Sequence, residues 1–141
     1  MITSGATGAP GLSSIHGDPS NYWDVQHLPA ANTQATISKA SAGTGLRNVC
    51  TGFTVTLAAT SAAPAAVNIS VAIIDGASAG STYLWRSTIS LPATAGAISA
   101  FVRSDTWLVG SAATAMTIEF SAAGGANTIE SVTMEGTVVP E

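Results

Sequence analysis

Met116-Thr117-Ile118-Glu119-Phe120-Ser121 decides the reading of this chain, together with the residues after it as far as Val139. Each even position is large and apolar until Ser121 breaks the run, while Thr117 and Glu119 point the other way, the mark of a strand with one dry face. Ser121 to Asn127 is built of small residues and glycine that let a chain reverse. Alternation then resumes, with Val132, Met134 and Val138 inward against Ser131, Thr133, Glu135 and Thr137. The stretch from Thr114 to Val139 therefore reads as a β-hairpin with a glycine-rich tip. Ile129 and Val132 have opposite parity, so the second strand is expected to bulge or to exchange faces near Glu130. Two strands do not stand alone in water, so the remainder must supply the sheets they pack against.

Upstream, the same period recurs. Ala35 to Lys39 alternates, and Val49 to Leu57 carries Val49, Phe53, Val55 and Leu57 on odd positions. Thr60 to Ala66 turns the chain into Val67 to Ile73, again odd-apolar, which reads as a second hairpin. Thr82 to Leu91 places Tyr83, Trp85, Ile89 and Leu91 on one face. Ala97 to Arg103 comes next, with Trp107-Leu108-Val109 as a short continuation. No helical period interrupts these segments. Seven or eight short strands with small-residue turns predict an all-β fold, an antiparallel β-sandwich of jelly-roll type, over residues 34–141. Residues 1–33 differ. Pro10, Pro19 and Pro29 punctuate a stretch rich in Gly, Ala, Ser and Thr, which predicts an extended N-terminal arm with Tyr22, Trp23, Val25 and Leu28 as its apolar content. The Tyr22-Trp23 pair either docks on the sandwich or a neighbouring subunit, or Trp23 plugs the bottom of its own core.

The chain has 141 residues, a one-domain length, and its scaling area implies that roughly two-thirds of the unfolded surface is buried. Charge is the unusual quantity. Only 9% of residues are Asp, Glu, Lys or Arg, against about 25% in an ordinary domain. The surface between them must be covered by Ser, Thr, Ala and Gly, which lose little rotamer entropy when pressed against another protein. Much of the exterior is therefore expected to be covered in an assembly. A net charge of −4 and four scattered basic residues, Lys39, Arg47, Arg86 and Arg103, argue against nucleic acid as a partner. No run of strongly apolar residues is long enough for a helical membrane span. Residues 1 to 20 lack the basic and apolar regions of a secretory signal, so synthesis and retention in a cytoplasm are expected. The single cysteine, Cys50, excludes an internal disulfide and reads as a packed, inert thiol.

Catalytic patterns are weak. His16 and His27 are the only side chains suited to proton transfer near neutrality without a large shift, and both fall in the arm. His16, Asp18, Asp24 and His27 match no strong metal spacing, so neither a metal nor another cofactor is expected. Glu119 with Glu130 or Glu135 as cross-strand neighbours would mark solvent or a partner's cation more readily than glycoside hydrolysis. There is no Gly-x-Ser-x-Gly elbow and no phosphate-binding glycine loop. Tyr83, Trp85 and Trp107 are candidates for a sugar-stacking platform, although the parity of Trp85 places it in the core.

The run Gly110 to Val132, with Ala35 to Lys39 and Val49-Cys50 upstream, resembles small Ala/Gly/Thr-rich β-sandwich virion proteins of tailed bacteriophages, and Gly110 to Val132 looks like their C-terminal hairpin. That resemblance covers roughly residues 34 to 139 and carries no catalytic motif. It implies a non-enzymatic structural role in the virion, assembled in the host cytoplasm: a decoration (cement) protein on the capsid, or a tail or fibre part, commonly trimeric. The expected partners are the major capsid protein and further copies of the chain as a homotrimer. Tyr22, Trp23 and Leu28 are the expected arm anchors, with Asp18 and Asp24 facing cations of the shell. The alternatives are a tail or fibre component, or a module that binds a host receptor or carbohydrate.

Overall fold

The computed structural model describes residues 21–77 and 81–141. Among them lie nine strands: β1 (Tyr22–His27), β2 (Thr36–Lys39), β3 (Leu46–Ala59), β4 (Val67–Asp75), β5 (Thr82–Leu91), β6 (Ile98–Arg103), β7 (Leu108–Val109), β8 (Met116–Phe120) and β9 (Thr128–Pro140). Eight of these correspond to the segments read from alternation. The ninth is β1. Its six residues run antiparallel to β9 from Tyr22↔Thr137 to His27↔Val132, so the last third of the expected arm is a strand of the sandwich. The flanking Pro19 and Pro29 masked it, yet its alternation is strict, with Trp23, Val25 and His27 on the sheltered face. Asp18 and His16 lie outside the described residues.

Two antiparallel sheets face each other, ordered β1-β9-β3-β6, with β7 also on β3, and β2-β8-β4-β5. Neighbouring strands in each sheet are mostly far apart in sequence, the jelly-roll order. Among the described residues β4–β5 is the one sequence-adjacent pair bonded to each other. Both expected hairpins are therefore corrected. β8 pairs with β2 and β4 while β9 pairs with β1 and β3, and β3 and β4 likewise sit in opposite sheets. Alternation shows only that a strand has one dry face, and crossing between facing sheets buries that face as well as folding back does. The linkers 60–66 and 121–127 hold seven residues each, beyond the roughly two to five of a hairpin turn, because they must cross the roughly 10 Å between sheets.

The core is the space between the sheets, filled by Val55, Leu57, Val71, Ile73, Met116, Ile118, Phe120, Val132 and Met134. Trp85 of β5 closes one side, its ring 4.6 Å from Phe53 and 5.7 Å from Phe101 between centroids. Tyr83 departs from the face expected for it. A bulge on β5, where Leu84 is inserted between Trp85 opposite Ile73 and Tyr83 opposite Ile74, reverses the parity of the strand's start and leaves Tyr83 exposed beneath the Arg86 guanidinium, 4.8 Å from the ring centroid.

The irregularity expected in β9 near Glu130 lies instead on β3, where Thr51 is inserted between Cys50 and Gly52. β9 keeps an unbroken register with β3 from Thr128 to Glu135, so Ile129 turns outward and Glu130 enters the core.

Candidate functional site

β1 presents Tyr22, Asp24 and Gln26 to solvent. Asp24 stands directly opposite Glu135 in the β1–β9 register, and Gly52 of β3 is the next position along that row. Because Gly52 has no side chain, the Glu135 carboxylate leans over it, with Oε1 2.9 Å from where a Cβ would stand. Gly136 is required for a related reason. A Cβ there would overlap the Val49 carbonyl oxygen and the Trp23 ring. The result is a groove of about 500 Å³ lined by Tyr22, Trp23, Asp24, Thr51, Thr133 and Glu135. Tyr22, 57% exposed, stands on its rim.

Like charges placed opposite one another across two strands repel, at a cost of some tenths of a kcal/mol. Among the described residues the one ion pair is Arg47–Glu141 at 3.9 Å, so neither groove carboxylate has a salt-bridge partner there. The groove is thus an acidic recess with hydroxyl groups on its walls and an aromatic rim, suited to a cationic or hydroxyl-rich group.

Beyond the groove the solvent face of this sheet loses charge. Successive cross-strand rows read Thr133–Thr54–Val102, Ser131–Thr56–Ala100 and Ile129–Ala58–Ile98. Short hydroxyl side chains cover the middle, and the β6 margin carries Ile98, 70% exposed, and Val102, 68% exposed.

The expected anchors separate. Tyr22 and Asp24 share the groove. Trp23 turns inward and packs against the core, so of the two readings of this residue it takes the one that plugs its own fold. Leu28 is 72% exposed but lies past the other end of β1, roughly 20 Å from Tyr22 at strand rise. His27 also faces inward, its Nδ1 accepting from the Thr36 N–H at 3.2 Å. The three glutamates considered as neighbours are in three places. Glu119 is on the outer face of the second sheet, Glu135 is in the groove, and Glu130 is inside. Nor do Tyr83, Trp85 and Trp107 form one platform: Trp85 is packed in the core while the other two are exposed on separate strands or loops.

Cys50 is fully buried, its thiol donating to the Gly52 carbonyl at 3.3 Å. Burial pushes its pKa up to about 11, with the Glu135 charge adding to the effect. That is the inert thiol the sequence predicts. Among the described residues no three His, Cys, Asp or Glu side chains converge as a metal cluster would require.

Sequence reasoning misses the Asp24–Glu135 pairing. The alternation of β1 sets Asp24 on the polar face, but its partner lies more than a hundred residues away on β9.

The topology defines the chain as a jelly-roll β-sandwich. No protein-family model matches it, and no curated protein sequence does. Among solved structures it is similar to a chain described as "CBM4 structure and function", at 18% identity and a TM-score of 0.36, over 85% of this chain and 71% of that one. It is also similar to a chain of Desmodium yellow mottle tymovirus, at 9% identity and a TM-score of 0.42, over 85% of this chain and 87% of the other.

Proposed function

We propose that this protein is a structural component of a bacteriophage virion, a decoration protein that binds the outside of the major capsid shell as a homotrimer and stabilises it. The observation that carries this reading is the solvent face of the β1-β9-β3-β6 sheet, a hydroxyl-covered plane without charge across β9, β3 and β6 between Thr133 and Ile98, bordered by exposed Ile98 and Val102. Such a plane desolvates cheaply and immobilises few rotamers on contact. The acidic groove at its end supplies direction, because Asp24 and Glu135 favour a shell surface that offers lysine or arginine. Three copies held together would add weak contacts at high effective concentration, which turns modest docking into a firm clamp against internal pressure.

Co-sedimentation with undecorated capsids tests this. Saturable binding that weakens about tenfold or more in Asp24→Lys/Glu135→Lys, and survives deletion of residues 1–20 because β1 is retained, is the expected result. Absence of capsid binding would overturn it.

A second reading, a tail or fibre module that binds a host receptor or carbohydrate, is favoured by one feature. Tyr22 stands beside two carboxylates and the Thr51 and Thr133 hydroxyls in a groove of about 500 Å³. Glycan binding without capsid affinity, lost in Tyr22→Ala, would select it.

A further inference from the structure

Glu130 is 1% exposed and sits on the inner face of β9, opposite Leu57 of β3. Its Oε2 accepts the Ala35 N–H at 2.7 Å, where the chain enters β2 of the opposite sheet, and the Gly124 backbone in the 121–127 crossover lies near enough to favour the ionised carboxylate. Its Oε1 is buried and without a hydrogen-bond partner. One side chain therefore joins three segments that meet at one end of the sandwich. The same end is tied by Asn32 N–H to Thr128 O at 2.8 Å and by Gln34 Nε2 to Phe120 O.

No countercharge accompanies it. β3, β4 and β8 present Leu57, Val55, Ile69 and Phe120 to the interior, and β5 and β6 present Leu91 and Phe101. Glu119 is on the opposite face of β8, while Lys39 and Arg103 stand at the far ends of their strands, paired with Met116 and Phe53. The titratable neighbour is His27 of β1, which holds the next amide, Thr36 N–H. Adjacent N–H groups at the entry to β2 are thus held by two ionisable side chains from the facing sheet.

We propose that Glu130 is a pH-sensitive clasp: neutral, it lets the 28–35 and 121–127 crossovers close over the core, and ionised, it draws in water and opens that end, freeing the segment that carries Leu28. A buried carboxylate with one oxygen unpaired is costly, and among the described residues the closed end offers no cation to offset it. Burial pushes the carboxyl up to about 7 despite the two backbone groups that act to lower it. Ionisation thus falls near neutral pH.

Hydrogen exchange on the full chain, corrected for intrinsic rates, is the test. Between about pH 5.5 and about pH 8.5, protection at Ala35 and Gly124 in the wild type should fall roughly thirtyfold and stay below that of Val49 and Met116 at the other end. In Glu130→Gln it should stay level. An equal response in both proteins, or none in the wild type, would overturn the proposal. Should Glu130→Gln fail to fold, a carbon-13 NMR titration of the wild type decides. A Glu130 carboxyl that titrates near neutrality together with the Ala35 amide supports the clasp, and one that titrates near the ordinary value of about 4.3 refutes it.

Discussion

Glu130 and Glu135 lie five residues apart on β9 and live in opposite regimes. Glu135 has odd parity, stands in an open groove beside Asp24, and is solvated. Glu130 has even parity, shares the inner face with Val132 and Met134, and has lost its water. The strand's two-residue period is the whole cause of the difference. The lesson is that a charge in this molecule is costly or cheap according to the face it occupies. A chain with so few charges has placed one of them where it can act on the fold and two of them side by side in an open groove.

The largest perturbation of that contrast is at the residue that sets the groove's floor. Gly136→Ala drives a methyl group into the Val49 carbonyl and the Trp23 ring, and neither backbone nor indole can withdraw without opening the β3–β9 ladder. A loss of about 4 kcal/mol or outright failure to fold is expected, read from the urea midpoint.

Next in size is the pH dependence. The folded-state pKa of Glu130 is raised from 4.5 to about 7, so between these values the native state holds a proton that the unfolded state has released. Stability is then fully present below the unfolded value, falls as pH rises through the window, and levels off above about 7. The total is about 3 kcal/mol. Urea midpoints measured across this range should show the fall, and Glu130→Gln should flatten it. Glu135→Gln should leave the fall intact, which is the sharpest form of the contrast.

Smaller again is the effect of relieving the groove. Asp24→Asn removes a like-charge opposition and should raise stability by about 0.5 kcal/mol at low salt, with the gain vanishing as salt is added. The smallest consequence for the fold, though easily read, concerns Cys50. With its thiol at about 11 rather than 9.0, the native thiolate fraction at mildly alkaline pH is about a hundredfold below that of a free cysteine, and labelling by a thiol reagent should wait for unfolding.

Much of this is legible in the sequence, and the failures have a common form. Met116, Ile118 and Phe120 read as one buried face, and so do Val55 and Leu57, because a side chain's face is set by its neighbours two positions away. β1 carries the same signal in Trp23, Val25 and His27, but prolines on either side suggest a loop. For Glu130 the parity is plain, and it is the expectation that Ile129 as well as Val132 must face inward that sends the irregularity to β9. The bulge instead falls at Thr51, where Gly52 lets β3 absorb an extra residue under the Glu135 side chain.

The amino-acid order alone determined where eight strands run, where the chain turns, that the fold is an all-β sandwich, and that its exterior is nearly free of charge. These are local or additive properties, set by two-residue periods, by glycine and proline, and by composition. Only the tertiary structure decided which sheet each strand joins, that 60–66 and 121–127 are crossings and not hairpin turns, that Asp24 meets Glu135, and that Glu130 closes one end of the core. Each of those depends on register between segments distant in the chain, and a strand with one dry face can satisfy that face against many partners until all of them compete for the same interior.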